Sequence, residues 1–328
     1  MKKKFYLTLD TETATLPFAN SLCKSEVDKQ KIAIAKPLVY DIGWVITDRL
    51  GNIYKKVNYL VQETFFVPNV FNTAYYKDKR PIYLKMFNDG ILPVLSWNEI
   101  IEQLIVDLQA CDIATAYNAC FDFKKAIPFT EQYIEHLYND DFNEWEQRQR
   151  KVCQFIVNGQ SNDRKNEDYL KPFLRLRGYD FPIADLWGIA CERLINNNRY
   201  KDYCLDNDLW TSSVQYFKSS AETSFQYLMK EFDFIEDHTA LSDALIESQI
   251  LTKALKKGKI EPTLASFPFR QLGTTFDYVQ TTKPKYKVKV KVALKEYLKN
   301  KGYDVDEPLS IIETPPYYRN MIGQYNML

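Results

Sequence analysis

Several residue types are scarce in this chain, and their scarcity excludes whole classes of protein. Its 328 residues include only two histidines, ten glycines and fourteen prolines, and no long segment has low complexity. Collagen-like and disordered chains are rich in glycine or proline, so these counts favour a globular protein. Apolar residues make up 45% and aromatic residues 15% of the sequence. That is enough to bury a sizeable core in one large domain or two ordinary ones.

The cysteines and the apolar runs also lack the patterns of particular protein classes. The six cysteines have no CxxC spacing and are Cys23, Cys111, Cys120, Cys153, Cys191 and Cys204. Most stand beside apolar residues, so we expect reduced core thiols rather than a disulfide framework or a zinc site. No apolar run approaches the roughly 18–20 residues of a membrane span. The five-residue apolar stretch after MKKK is too short for a signal peptide. We therefore expect a soluble, cytoplasmic protein with no membrane partner.

The chain has no net charge, because 43 basic residues balance 43 acidic ones. Only local charge is therefore informative about a nucleic-acid partner. Residues 283–301 contain eight lysines and one acid, Glu296. Within them KPKYKVKVK, residues 283–291, alternates in the way that predicts a strand with one lysine face. Either this face follows nucleic-acid phosphates, with Tyr286 offering a stacking surface, or its lysines protect an edge strand from aggregation.

The hydrophobic pattern predicts an α/β domain built on a mixed sheet that is flanked by helices. Alternating and β-branched residues predict strands over residues 5–9, 39–47, 53–61 and 113–117. A turn over residues 48–52 indicates that the second and third strands pair antiparallel. Apolar residues at helical spacing predict helices over residues 97–110, 184–194, 220–231 and 240–257, and from residue 121 onward.

Two residue patterns mark the ends of predicted helices. Ser96 and Glu99 have the spacing of a capping box, which predicts the start of the helix over residues 97–110. Gly258 ends the helix over residues 240–257, and Thr239 is its predicted N-cap. This assignment places His238 just outside that helix.

The composition also predicts a division of the chain. Residues 62–95 and 139–180 fit the core pattern poorly, so we expect them to be insertions in a main domain over residues 1–258. The pattern changes again after Gly258. We therefore expect residues 259–328 to form a small lysine-rich C-terminal extension, with a short helix over residues 293–302.

Asp10 and Glu12 form the only D-x-E in the chain, and they lie where the first predicted strand ends. Residues two apart on a strand point to the same face. Two carboxylates on one face repel each other unless a cation lies between them, and Mg²⁺ and Mn²⁺ prefer such oxygen ligands. The alternative interpretation is a solvated strand end.

Three further residues each have a structural explanation when taken alone. Asp122 follows the fourth predicted strand and is explained by a helix N-cap. Asp243 lies near a helix N-terminus, where the helix dipole favours a negative charge by about 0.3–1 kcal/mol. His238 is explained by a satisfied surface or core histidine. Together with the D-x-E, however, these residues fall at strand ends and helix starts, where α/β folds gather their sites.

The order and setting of these residues resemble the DEDDh family of 3′→5′ exonucleases, which have a ribonuclease H-like fold. The matching motifs are DTET at residues 10–13, NACFD at 118–122 and HTALSDA at 238–244. The resemblance spans about residues 4–257. Asp185, in the sequence IADLW, resembles an aspartate that begins a helix in the family and is usually structural.

The resemblance implies a two-metal hydrolase of phosphodiester bonds. Two divalent ions, Mg²⁺ or Mn²⁺, would be held by Asp10, Glu12, Asp122 and Asp243. His238 would be the general base for the attacking water, since its ordinary pKa of about 6.5 suits proton removal near neutral pH. Nucleoside 5′-monophosphates would be released from the 3′ ends of single-stranded DNA or RNA.

The resemblance also implies four substrate contacts, at Thr13, Leu16, Asn118 and Phe121. Thr13 and Leu16 would flank the 3′ nucleotide, with Leu16 as a wedge between bases. Asn118 either contacts the terminal sugar or phosphate or caps a turn. Phe121 either stacks on the terminal base or packs in the core.

Two other functions remain as alternatives. One is a phosphodiesterase of short oligonucleotides or nucleotide signals, which would use the same chemistry. The other is a non-catalytic binding module of a polymerase or replication complex. The presence of all five predicted site residues favours an enzyme over a binding module.

Overall fold

The computed structural model describes residues 4–159, 171–211, 215–265, 267–273, 275–283 and 286–303. The chain forms two compact units. The first combines Met1–Ile195 with Ser219–Pro268, and the second combines Asn196–Lys218 with Phe269–Leu328. These two units do not coincide with the predicted division of the chain at residue 258. That division into a main domain and a C-terminal extension stays a prediction.

A seven-stranded mixed sheet lies at the centre of the first unit. Its strands are β1 Phe5–Ala14, β2 Leu38–Asp48, β3 Ile53–Val61, β4 Val94–Leu95, β5 Ile113–Ala116, β6 Phe173–Leu176 and β7 Tyr179–Asp185. The order across the sheet is β4-β3-β2-β1-β5-β7-β6. The pairs β1–β2, β2–β3 and β6–β7 are antiparallel, and β3–β4, β1–β5 and β5–β7 are parallel. The predicted α/β class with a mixed sheet is confirmed.

Helices flank this sheet, and other helices belong to the second unit. They are α1 Ala19–Leu22, α2 Glu26–Ala35, α3 Gln62–Phe65, α4 Pro68–Phe71, α5 Arg80–Asn88, α6 Trp97–Ala110, α7 Ala119–Phe121, α8 Ile127–Leu137, α9 Phe142–Val157, α10 Leu186–Arg193, α11 Asn198–Asp206, α12 Ala221–Met229, α13 Ala240–Lys257 and α14 Leu294–Asn300. Two 3-10 helices, Lys77–Lys79 and Pro268–Leu272, and one π-helical segment, Asp122–Ala126, complete the helical structure of the described residues. Among these helices none is both long and apolar enough to cross a membrane.

Local signals predicted several elements correctly. The helices α6 and α13 have the predicted bounds, and so does strand β3. The hydroxyl of Ser96 accepts a hydrogen bond from the Glu99 amide, and the Glu99 carboxylate accepts one from the Ser96 amide, so the capping box is confirmed. The antiparallel pairing of β2 with β3 across the turn is also confirmed.

Two element bounds differ from the prediction for a physical reason. Strand β1 continues past residue 9 to Ala14, because residues 10–14 pair antiparallel with β2. Asp10 and Glu12 therefore lie within the strand rather than at its end. The helix predicted over residues 184–194 begins at Leu186, because Ala184 and Asp185 still pair with β5.

Strand β2 is the centre of the core, since all eleven of its residues are buried. Helix α13 lies directly against it at Gly43, where a β-carbon would come within 2.4 Å of the Leu241 amide nitrogen. Gly43 pairs with Asp10 in the neighbouring strand. The missing side chain therefore lets the helix that carries Asp243 approach the strand that carries Asp10.

The segment 62–95 is built into this core. Its residue Phe71 packs edge-on against Tyr40 of β2 at a ring distance of 4.9 Å, and Tyr83 does so at 5.7 Å. In the segment 139–180, helix α9 buries Trp145, and β6 extends the sheet. Whether these segments are insertions relative to a family stays a prediction, and residues 160–170 lie outside the described residues.

The second unit contains α11, α14 and a two-stranded antiparallel hairpin of β8 Thr275–Lys283 and β9 Tyr286–Ala293. The ring of Phe276 stacks on Tyr297 at 4.6 Å and meets Phe217 edge-on at 5.7 Å. Helix α14 confirms the short helix predicted over residues 293–302. The predicted lysine face depends on side chains that lie outside the described residues.

Candidate metal centre

Strand β1 places two carboxylates in the middle of the sheet. Asp10 and Glu12 pair with Gly43 and Asp41 of β2, and the pairing register shifts between Glu12 and Thr13. Such bulges bend a strand and often lie next to functional sites. Glu12 is 8% exposed, and Asp10 is half-buried. Glu12 is therefore largely shielded from water and Asp10 partly so, and the predicted orientation of both to one face stays a prediction.

Asp122 approaches β1 from the segment that follows β5. It is buried, and its Oδ1 accepts a hydrogen bond of 2.6 Å from the Thr11 hydroxyl. It lies after the first helical turn, because Asn118 occupies the N-cap position of α7. The N-cap explanation of Asp122 is therefore wrong. Burial raises the pKa of Asp122 to about 7, although the hydrogen bond from Thr11 lowers it.

Helix α13 and the residues before it bring the third predicted motif to β1. One ligand atom from each of Glu12, His238 and Asp243 lies within 4.8 Å of the others. The Nδ1 atom of His238 is 3.8 Å from Asp243 Oδ2 and 3.6 Å from Glu236 Oε2. This group, taken over the described residues, does not include Asp10 or Asp122.

Electrostatic interactions nevertheless connect Asp10 to the same site. Burial raises the pKa of Asp10 well above its usual range, and the negative charges of Glu247, Asp122 and Asp243 raise it further. Burial also raises the pKa of Glu12, followed by the charge of Asp243. Each carboxylate therefore disfavours the ionisation of the next, as expected for acids crowded in one buried site.

The donor set fits a divalent cation. Among the residues that the structure describes, Asp243 Oδ1 and Glu236 Oε1 are buried without a hydrogen-bond partner. Burial raises the pKa of each of these acids to about 8. A cation would satisfy the unpaired oxygens and reverse the cost of ionising the acids. Carboxylate oxygens are the ligands that Mg²⁺ and Mn²⁺ prefer.

The start of α13 is capped in an unexpected way. Thr239 occupies the predicted N-cap position, but its side chain makes no capping hydrogen bond, and its hydroxyl donates to Asp237 Oδ1 at 2.9 Å. The amide of Ala240 instead donates to Asp41 Oδ2 at 3.0 Å. A buried carboxylate of strand β2 therefore takes the role predicted for Thr239. Burial raises the pKa of Asp41 to about 7 despite this hydrogen bond.

Glu247 is a further acid of the site. It lies one helical turn after Asp243 on α13, is 2% exposed, and accepts a hydrogen bond of 3.0 Å from the Tyr117 amide. Its pKa is raised well above the usual range, by burial and then by the charge of Asp122. The i, i+4 spacing from Asp243 was a signal that could have found it.

Of two other site residues, Asp41 and Lys79, only Asp41 had a local signal in the sequence. Asp41 stands alone among the apolar residues of LVYDIGWVIT, and a charged residue in a fully buried strand needs a specific partner. Lys79 had no local signal, because its partners lie about half the chain away. Its side chain is buried, and its ammonium group donates to the carbonyl of Asp237. Burial lowers the pKa of Lys79, and the charge of Glu12 opposes this.

The four predicted substrate residues have different surroundings. Thr13, Asn118 and Phe121 are half-buried. The side chain of Asn118 does not cap α7, and its φ of 77° lies in the left-handed region. Phe121 packs partly against the core. Leu16 is 1% exposed in the core, so contact with a base would require this side chain to leave it.

Asp185 has the structural role that the resemblance implied. Its Oδ1 accepts hydrogen bonds from the amides of Trp187 and Gly188 at the start of α10. Its Oδ2 accepts another from the Ala265 amide at 3.3 Å. Both oxygens are therefore used by backbone groups.

The fold and the site together define an α/β protein with a buried cluster of acids and one histidine that fits a divalent cation. No protein-family model and no curated protein matches the chain. The functional interpretation therefore depends on the geometry of the site and on the resemblance of its motifs.

Proposed function

We propose that the chain is a metal-dependent 3′→5′ exonuclease that releases nucleoside 5′-monophosphates from single-stranded DNA or RNA. The observation that carries the proposal is the approach of Glu12, His238 and Asp243 to within 4.8 Å of one another. Asp10 interacts electrostatically with Glu12 and Asp243 of this cluster and with Asp122. The polarity of the reaction depends on the resemblance to the DEDDh family alone.

The sheet supports the ribonuclease H-like part of the proposal. Three antiparallel strands, β3-β2-β1, continue into the parallel strands β5 and β7. This arrangement is compatible with a ribonuclease H-like fold, although a mixed sheet alone is not specific. The order of the three motifs along the chain further supports this part of the proposal.

The carboxylates would bind the metal ions and position the substrate. Asp10, Glu12, Asp122 and Asp243 would hold two divalent ions, with Glu236 and Glu247 close enough to tune them. When bound, such ions stabilise the charge on the attacking and leaving oxygens of a phosphodiester. The chain also keeps much of this site dry, since Glu12, Asp122 and Asp243 are each at most 8% exposed. A dry site strengthens each electrostatic contact with the phosphate.

His238 is the proposed general base. Burial lowers its pKa, and so does the positive charge of Lys79, while Glu236 opposes this change. The ring is therefore neutral near pH 7 and can accept a proton from an attacking water. Its position before α13, rather than within it, leaves the imidazole at the edge of the carboxylate cluster.

The test is a set of 5′-labelled oligonucleotides, DNA and RNA, single- and double-stranded, incubated with Mg²⁺ or Mn²⁺. We expect a ladder of products shortened from the 3′ end, release of nucleoside 5′-monophosphates, and loss of both with a chelator. Oligonucleotides of increasing length separate this enzyme from a phosphodiesterase of short substrates. Purified protein that releases no mononucleotide with either ion would overturn the enzyme and favour the binding module.

A further inference from the structure

Tyr76 contacts the proposed general base directly. Its ring stacks on the imidazole of His238 with a centroid distance of 4.4 Å and an interplanar angle of 15°. Tyr76 lies between α4 and α5, within the segment 62–95. Face-to-face contact at this distance restricts the tilt of the imidazole, so it affects where the ring nitrogens point.

Lys79 holds the backbone next to the same histidine. Its ammonium group donates to the carbonyl of Asp237 and lies 3.5 Å from the carbonyl of His238. The same group lies 4.8 Å from the centre of the Tyr76 ring. One buried cation therefore contacts both the histidine backbone and the aromatic ring that covers the imidazole.

Tyr83 completes the contact from the first turn of α5. Its side chain is 1% exposed, and its hydroxyl lies 2.9 Å from Asp41 Oδ2 and 3.4 Å from the carbonyl of His238. Asp41 in turn accepts from the first amide of α13. The Tyr83 hydroxyl thus contacts the carbonyl of His238 directly. Through Asp41 it is also linked to the first amide of α13.

The backbone of His238 needs such support. Its φ is 52°, in the left-handed region that residues other than glycine seldom adopt. Conformations of this kind persist when the surrounding contacts determine them, and they occur often at functional sites. The three side chains from residues 76–83 supply contacts on the ring face and on the backbone.

We infer that Tyr76, Lys79 and Tyr83 are positioning residues that hold His238 beside Glu12 and Asp243. We call these three residues the histidine clasp. The catalytic consequence of this inference rests on the proposed function. The contacts of the three residues with His238 do not depend on it. It assigns a role to part of the segment 62–95.

The clasp can be tested without an activity assay, because the chain has only two histidines, His136 and His238. The imidazole protons of His238 should resonate upfield in proton NMR spectra, since they lie over the Tyr76 ring. His136 stacks on Trp145 and bonds Asp141, away from the clasp, so its resonances report whether each variant is folded.

Four variants make the test specific. Tyr76→Leu removes the ring, and Lys79→Met removes the ammonium but keeps the length of the side chain. Tyr76→Phe keeps the ring, and Lys77→Ala changes an exposed lysine of the same 3-10 helix. We expect the His238 resonances to move downfield in the first two variants and to stay in place in the last two. Unchanged His238 resonances in folded Lys79→Met and Tyr76→Leu proteins would overturn the clasp.

Kinetics then test the catalytic consequence. A misplaced base should lower kcat by about 10- to 100-fold in Lys79→Met, while KM changes little, because the base contacts water rather than substrate. Tyr76→Phe should restore most of the activity lost in Tyr76→Leu. An inactive parent protein whose His238 resonances respond as expected would support the clasp and overturn the exonuclease. An active Lys79→Met protein with parental kcat would overturn the positioning role.

Discussion

At the scale of single residues, the carboxylates of this site oppose the stability of the fold. Asp10, Glu12 and Asp243 are packed beside other acids, and burial raises the pKa of each. Such crowding costs free energy in the absence of a cation. Sites of this kind commonly reduce stability in favour of function. Removing one acid should therefore raise the stability of the protein and lower its activity.

The prediction concerns Asp10→Asn and Asp243→Asn. Each substitution keeps the shape of the side chain and removes one negative charge. Losing an outer partner of a metal typically costs about 10- to 100-fold in activity or affinity, so losing a proposed ligand should reduce mononucleotide release by more than that. The metal-free variants should also melt at a higher temperature than the metal-free parent, because fewer like charges face one another.

Calorimetry with a chelator and a nuclease assay with Mn²⁺ measure the two effects separately. Glu102→Gln on α6 is a suitable control, since it changes an exposed acid outside the site. A variant that lost activity and also melted at a lower temperature would indicate a structural role for that carboxylate rather than a metal-binding one.

The same scale shows what the sequence could predict about the site. Asp10, Glu12, Asp122, Asp243 and His238 could be selected because their motifs have a recognisable order. Lys79 and Asp41 could not be selected as partners of this site, since their contacts with residues 237–240 join parts of the chain about 160 to 200 residues apart. Local patterns carry no information about such pairs.

At the scale of elements, the close approach of α13 to β2 depends on one residue. A β-carbon at Gly43 would lie 2.4 Å from the Leu241 amide nitrogen and 2.6 Å from the Ala240 carbonyl carbon. Both neighbours are backbone atoms, so neither can rotate away. The helix would have to shift as a unit to accommodate a methyl group.

The prediction is therefore that Gly43→Ala destabilises the protein by about 1–3 kcal/mol, the usual cost of overpacking a core. It should also reduce metal-dependent activity, because a displaced α13 carries Asp243 away from β1. Gly90→Ala is an informative comparison, since no atom lies within 4 Å of a β-carbon there and any cost comes from its φ of 70°. Chemical denaturation gives the stabilities, and parental stability in Gly43→Ala would contradict the close packing.

Elements also show where sequence patterns succeed and fail. The helix α13 could be predicted with its bounds, because its apolar periodicity and Gly258 are local signals. The end of β1 could not, since residues 10–14 are strand only because β2 pairs with them. The same cause moved the start of α10, where pairing with β5 kept Ala184 and Asp185 in a strand.

At the scale of the whole molecule, the acid cluster should make stability depend on pH and metal together. Burial raises the pKa of Asp122 to about 7 and that of Asp243 to about 8. A raised folded-state pKa contributes stability that is fully present below the ordinary pKa of about 4 and is lost as the pH rises through the folded value. In metal-free protein this contribution should therefore be lost up to about pH 8.

The prediction is that the Tm of chelated protein falls between about pH 4 and pH 8 and levels off above that, and that Mg²⁺ or Mn²⁺ removes much of the fall. At an ion concentration of about 100 times Kd, binding adds about 2.7 kcal/mol of stability. This corresponds to a rise of roughly 5–10 °C in Tm for a domain of this size. Scans at each pH with chelator, Mg²⁺ or Mn²⁺ measure it, and an identical pH slope with and without either ion would contradict a metal centre here.

The whole molecule was also the hardest level to predict. The α/β class followed from alternating strand and helix patterns. The two compact units did not, because the second combines Asn196–Lys218 with Phe269–Leu328. Composition changes mark boundaries along the chain, whereas a unit built from two separate stretches is defined by contacts in space.

The capping of α13 by Asp41 has a consequence for the order of events during synthesis. These partners are 199 residues apart, and contacts of such sequence separation form late because a long loop must close first. A ribosome releases the β1 and β2 strands, with Asp10, Glu12 and Asp41, well before it makes Ala240. The growing chain therefore carries half of its acidic cluster without the other half, and the complete centre first exists when the segment around α13 has emerged.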